Sequence, residues 1–290
     1  MTGTILGIIF NGLMIGGIYA LIAMGFTLQY GVARVLNLAH GEFIMFAAFS
    51  SLALNRLFGI SPLLSVVIVA LGLFIVGFAL HSTMFRRLLK SSPSPAAFEG
   101  SSLLAAFGLL YIIQSTAKVI WPGLPAWKTF LDFPINIFGV QILANKVVAL
   151  SFALVIALAF YLLLARTRMG KAIRAAAQDR ATAGLMGINV DSMLALCFGL
   201  GIALAGIAGI LYSICYGAST DMGMNNTFIA MAVVVLGGLG SVPGAFIGGL
   251  MLGVFSEILR QYAPIFAMPA FYFIFLIMVL ARPTGIMGKK

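Results

Sequence analysis

Apolar residues run almost without interruption over nine stretches of the chain: 5–33, 43–58, 62–85, 102–121, 142–165, 192–217, 227–240, 242–258 and 264–281. A helix needs about 20 apolar residues to cross the hydrocarbon of a bilayer. The pattern therefore predicts an all-α polytopic membrane protein of about eight or nine membrane-spanning or re-entrant helices. The runs are continuous rather than alternating, which excludes a membrane β-barrel. Two neighbouring runs are short and meet at Gly237-Gly238-Leu239-Gly240-Ser241-Val242-Pro243-Gly244. A third, 43–58, is also short and follows the polar string Asn37-Leu38-Ala39-His40-Gly41-Glu42. Broken helices are expected near 33–42 and 237–244. Backbone groups freed at membrane depth are tolerated only where protein or a water-filled cavity supplies partners, and such interruptions point to binding sites and pathways. The bland alternative at 237–244 is a tight turn between two crossings. The first run is too long for a signal-peptide core and lacks a basic leader, so it reads as a retained first transmembrane helix.

Composition agrees with this pattern. Hydrophobic residues make up 62% of the 290 and charged residues 8%, against about 25% charged in soluble domains. Little chain is left for an extramembrane domain, so the sequence reads as a single transmembrane domain over 1–290, with no room for a Walker-type ATPase or a Rossmann domain. The net charge of +10 would suggest nucleic acid in a soluble protein; here the positive-inside rule accounts for it. Twelve of the 17 basic residues (Arg34; Arg86, Arg87 and Lys90; Arg166, Arg168, Lys171, Arg174 and Arg180; Arg282, Lys289 and Lys290) fall on one side if the N-terminus is outside and the C-terminus cytoplasmic. Arg56, Lys118, Lys128, Lys146 and Arg260 then fall outside. The segment 122–141 reads as an ordered interfacial loop anchored by Trp121 and Trp127, and 91–99 as a flexible linker. Cys197 and Cys215 lie 18 residues apart on one predicted helix, about 27 Å along its axis, too far for a disulfide.

The longest polar stretch, Arg166 to Asp191, covers 26 residues. It carries five cations, then alanines that favour a shallow helix, with Gly184 and Gly187 marking its end. It offers a basic, low-relief surface for a partner protein; the competing reading is a loop that merely fixes topology. The string 37–42 has two readings as well. Intramembrane ionisable groups are costly and mark function by default, yet Asn37 could simply cap the next helix with Glu42 in its first turn. No metal-ligand spacing and no catalytic motif is present. The seven acids lie near span ends or in loops, which counts against an ion-coupled carrier.

Several strings, in order and spacing, resemble the LivH-type membrane subunit of branched-chain amino acid ABC importers. They are Asn11-Gly12 with Gly17-Ile18-Tyr19-Ala20-Leu21; Tyr30-Gly31-Val32 with the 37–42 string; Arg168-Met169-Gly170-Lys171-Ala172-Ile173-Arg174-Ala175 with Asp179; Gly187-Ile188-Asn189; Val235 through Ala245; and Pro283-Thr284-Gly285-Ile286. The resemblance implies a bacterial inner-membrane permease that binds no cofactor itself. Its implied partners are a LivM-type second permease, two ATP-binding cassette ATPase subunits that hold ATP and Mg, a periplasmic solute-binding protein, and membrane lipid, with no nucleic acid. It makes 166–191 an ATPase-coupling loop, with Arg168, Gly170, Lys171, Arg174, Ala175, Asp179 and Gly187 as its expected contact residues. Tyr19, Asn37, His40, Glu42, Gly237, Gly238 and Gly240 are expected along the translocation path. The solute is a branched-chain or other amino acid; urea, short amides or carboxylates would fit the same machine, and a stand-alone secondary transporter is the alternative of a different class. Glu99-Gly100 departs from the pattern, opening a span where only apolar residues are expected.

Overall fold

A computed structural model describes residues 2–122, 130–137, 139–282 and 285–288. Trp127 and Pro125 of the expected interfacial loop, and Pro283-Thr284 near the end, lie outside the described residues. The described residues form twelve α-helices and one small hairpin. Helix α1 (Thr2–Leu28) continues into a π-turn (Gln29–Ala33). After it come α2 (His40–Phe58), α3 (Pro62–Leu80) with a second π-turn (His81–Phe85), α4 (Arg86–Ser91) and α5 (Pro95–Ile120). The antiparallel strands β1 (Pro134–Ile137) and β2 (Val140–Leu143) precede α6 (Ala144–Arg166). Two short helices, α7 (Arg168–Gln178) and α8 (Arg180–Leu185), lead to α9 (Val190–Tyr216), α10 (Met222–Gly237), α11 (Val242–Tyr262) and α12 (Ala267–Ala281).

Among the described residues, seven helical segments are long and apolar enough to cross a membrane, and α10 is a shorter apolar helix. With α2 they make nine elements between the two ends of the bundle, in line with the apolar pattern. Their order inward follows small residues. In α9, 78% of the most apolar window is buried, against 6% in α12. Helix α1 packs on α11 through two facing stripes at four-residue spacing, Gly12, Gly16 and Ala20 against Ala245, Gly249 and Gly253. A Cβ on Gly16 would meet the Leu250 backbone at 2.9 Å, and one on Gly249 would meet Ala20. Without a hydrophobic drive between helices in lipid, close backbone approach of this kind supplies the packing energy.

Three expectations are corrected. The segment 91–99 is not a flexible linker: α4 runs to Ser91 and α5 starts at Pro95. Ser94 accepts a hydrogen bond from the Ala97 amide and Pro95 occupies the first turn, a strong helix start that leaves only Ser92–Ser94 between the helices. Glu99 therefore sits one turn inside α5. The interfacial segment contains a β-hairpin, where Gly139 at φ +81° makes the reversal. The chain leaves α6 at Thr167, whose hydroxyl caps α7. Trp121, the other expected anchor, packs inward, edge-on to Phe46 and stacked on Phe49 at 5.7 Å.

Candidate functional site

The first interruption lies deep in the bundle. The π-turn ends at Arg34, which adopts the left-handed conformation (φ 57°, ψ 32°). The chain then runs without helical structure through 35–39, and Val35, Asn37 and Ala39 are fully buried there. Buried, irregular backbone needs partners, and side chains supply some of them. Asn37 Oδ1 accepts the Ala39 amide at 3.2 Å, and its Nδ2 donates to Gln29 Oε1 at 3.2 Å. Gln29 Nε2 donates to the Phe198 carbonyl of α9 at 3.4 Å. His40 Nδ1 stands 3.3 Å from Gln29 Oε1 and Nε2 stands 3.1 Å from the Ile22 carbonyl. Both ring nitrogens face oxygen, so a neutral ring donates to only one of them. Asn37 is not the helix cap: that position is Ala39, with no side-chain cap.

Glu42, in the first turn of α2, is fully buried, and neither carboxyl oxygen has a hydrogen-bond partner among the described residues. It lies against Gly223 in the first turn of α10, where a Cβ would strike the carboxyl. Gly41 beside it donates its amide to Thr227 Oγ1 at 2.9 Å, and Thr227 Oγ1 donates to the Leu38 carbonyl at 3.1 Å. Asn37 and His40 are thus drawn together, while Glu42 faces a different helix. Tyr19 is on α1, one turn before Ile22, but packs edge-on to Phe271 of α12. It lines a cavity of about 230 Å³ with Tyr212, Tyr216 and Asn226.

The second interruption is at the opposite end of the bundle from the hairpin. Gly237 ends α10, and Gly238 and Gly240 take positive φ (108° and 85°) in a tight turn capped by Ser241. Gly237 packs on the Gly244 backbone. The tail closes over the turn: the Ile286 amide donates to the Leu236 carbonyl at 2.9 Å and Met287 to Gly237 at 3.1 Å. Gly240 also lines a cavity of about 470 Å³ shared with Gly31, Arg174 and Met287.

The polar stretch 166–191 folds as α7 and α8, split at Asp179. Gly170, Ile173 and Ala176 form the buried face of α7, while Arg168, Lys171 and Arg174 are exposed. Gly170 is needed where α7 folds back on the Leu163 and Leu164 carbonyls, which a Cβ would strike. Arg174 donates to the Leu164 carbonyl. Asp179 caps α8, accepting from the Ala181 amide at 2.8 Å, the Thr182 amide at 3.2 Å and the Thr182 hydroxyl. These bonds, the hydroxyl first, hold its carboxyl below the usual aspartate value. Ala175 is half-buried, and Gly187, at φ +80°, closes the loop.

The chain matches the family model described as branched-chain amino acid transport system / permease component over residues 8–282. The chain belongs to this family. Among its relatives is the high-affinity branched-chain amino acid transport system permease protein BraD of Pseudomonas aeruginosa, 32% identical over 96% of this chain and 94% of BraD. The LivH permease protein of Salmonella typhimurium is 33% identical over 97% of this chain and 94% of its own length. The LivM permease protein of the same organism is more distant, 25% identical over 93% of this chain and 68% of LivM.

In this branched-chain permease the structure adds residues that the sequence pattern did not single out. Gln29 joins Asn37, His40 and α9; a lone glutamine inside a long apolar run was the available signal. Leu185 and Met186, at the end of α8, are 89% and 79% exposed. Their signal was an apolar pair between Gly184 and Gly187 in a polar stretch. Glu99 lines a cavity of about 530 Å³ with Arg34, Arg180 and Ser94, which gives its position a polar setting.

Proposed function

We propose that the chain is one of two membrane-spanning permease subunits of an ATP-driven importer for branched-chain amino acids, located in a bacterial inner membrane. The family match over nearly the whole chain carries this reading. The second permease is of the LivM type, itself a relative of this chain, so two similar bundles face each other across the path. An external binding protein delivers the solute, and two ATP-binding cassette subunits bind ATP with Mg and hydrolyse it; this chain supplies no catalytic group. The described basic clusters gather at the end of the bundle that carries α7, α8 and the 237–244 turn, which supports a cytoplasmic setting for that end and an outside setting for the hairpin.

The docking surface is α7–α8. Arg168 and Lys171 offer charge, and Leu185 with Met186 offers an apolar anchor of the kind that fills a pocket on a partner. Arg174 and Asp179 have internal duties and shape this surface. The path follows the buried break, with Asn37 in the irregular segment, His40 and Glu42 at the start of α2, and Gly237, Gly238 and Gly240 at the cytoplasmic turn.

The test uses the reconstituted complex with binding protein and leucine. Arg174→Glu, Ala175→Trp and Leu185→Asp are each expected to weaken retention of one ATPase subunit and abolish ligand-stimulated uptake, with leucine binding by the external protein unchanged. If all three hold both ATPases and transport normally, α7–α8 is only a topology determinant. Uptake of urea or short carboxylates in place of leucine, isoleucine and valine would reassign the solute.

A further inference from the structure

We propose that Arg180 is a positioning residue that transmits movement of α7–α8 to the buried Gln29–Asn37–His40 cluster through the end of the first helix; the inference rests on the docking role of α7–α8 proposed above. The last carbonyls of a helix have no partner within it. In the first helix this shortage falls at the π-turn, because the chain departs at Arg34, whose own amide returns to the Tyr30 carbonyl at 3.1 Å. Arg180 fills it. Its Nη2 donates to the Val32 and Ala33 carbonyls, both at 3.1 Å. The side chain crosses from the first residue of α8 to the last residues of a helix nearly 150 positions earlier.

Where Arg180 stands is set by α8. Asp179 caps that helix with two backbone bonds, so the first residue after the cap moves with α8 as a unit. The guanidinium is half-buried beside a second one, that of Arg34, and both burial and this like charge disfavour its protonated form. The two carbonyls offset that cost only while the geometry holds, since hydrogen bonds weaken steeply with angle. Both bonds leave one nitrogen, Nη2, held in the plane of the guanidinium; a lysine stem is shorter and its ammonium is not fixed in a plane.

From Ala33 the chain has little slack before the cluster. Residues 34–39 have no helix or sheet to absorb a shift, and every second one is fully buried. Asn37 is bonded to Gln29, which belongs to the same π-turn that Arg180 holds at its far end. Gln29 also holds Phe198 in α9 and faces His40. A displacement of α8 therefore reaches both ends of the cluster, through Ala33 to Asn37 and through the turn to Gln29.

The test compares Arg180→Met, which keeps the unbranched apolar stem and loses every donor, with Arg180→Lys, which keeps charge on a shorter stem and loses the guanidinium, in the complete complex with binding protein and leucine. Three quantities are read: retention of both ATPase subunits, ATP hydrolysed per leucine transported, and the nucleotide-dependent reactivity of a thiol reporter, Leu36→Cys, in a Cys197→Ala, Cys215→Ala background. Arg180→Met is expected to keep both ATPases while ATP consumed per leucine rises at least about tenfold, the factor expected for loss of a charge-assisted hydrogen bond. Reporter reactivity should stop responding to nucleotide, and Arg180→Lys should fall between. Wild-type stoichiometry, or a reporter that still responds, overturns the inference. Loss of an ATPase subunit also overturns it, by placing Arg180 in the docking surface while leaving the docking role standing. If Arg180→Met does not assemble, Arg180→Lys decides by the same readings. Failure of the docking role itself shows separately, in normal transport by Arg174→Glu, Ala175→Trp and Leu185→Asp.

Discussion

A buried carboxyl without a hydrogen-bond partner is an uncommon thing for a folded chain to keep, and among the described residues Glu42 is one. An unsatisfied buried polar group costs on the order of 1–3 kcal/mol, and a methionine of similar length would remove that cost. Glu42→Met is therefore expected to raise the thermal midpoint of the purified complex while reducing leucine uptake, the trade seen where a site holds a group for function rather than for packing. Calorimetry and an uptake assay on the same preparation check both halves. A variant that is destabilised would make Glu42 a structural group of the α2–α10 contact. Unchanged uptake would remove it from the path. Nothing in the composition distinguishes this glutamate from Glu99, which sits beside a polar cavity near Arg34 and Arg180. The difference is made by Gly223, 181 positions away in sequence, whose missing side chain leaves the room that the Glu42 carboxyl fills.

Helix α8 depends on its cap. Asp179 has a carboxyl held below its usual value by the Thr182 hydroxyl and two amides, so its contribution is present above the usual aspartate value and is lost as pH falls through the lower folded value. A spin label at Gly184 should keep its mobility as pH drops to the ordinary aspartate range and loosen only below it. Thr182→Val should move that transition upward, and Asp179→Ala should make the label mobile at every pH. Much at this scale was legible in advance. The spans, the irregular entry to α2 and the helical polar loop follow from hydropathy and alanine content, because burial in lipid demands continuous apolar runs. What was not legible depends on contacts between distant segments. The split at Asp179 and the long α5 turn on single caps, at Thr167, Asp179 and Ser94. The Gln29 cluster and the Arg180 bridge join residues that no local pattern connects.

At the scale of the whole bundle, α1 and α11 cross at close backbone approach, with Gly253 against Gly16 and Gly12 against Val254. Gly16→Leu has no free volume to enter and should leave little assembled permease, read as loss of the monodisperse peak in detergent and loss of uptake. Gly108→Leu, at a position where a Cβ meets nothing within 4 Å, is the matched control and should assemble normally. The same crossing sets a schedule for biogenesis. Helix α1 leaves the ribosome long before α11, and its glycine stripe fits this helix more than 200 residues behind it. At about 5–20 residues per second of synthesis, the stripe waits on the order of ten seconds or more for α11. During that interval it presents a four-residue small-side-chain repeat to lipid and to other nascent helices, the pattern that pairs transmembrane helices promiscuously. Newly made permease thus has a window of vulnerability to mispairing that closes only when α11 is inserted, and premature termination before α11 leaves a fragment suited to capture by a neighbour rather than a partially working transporter.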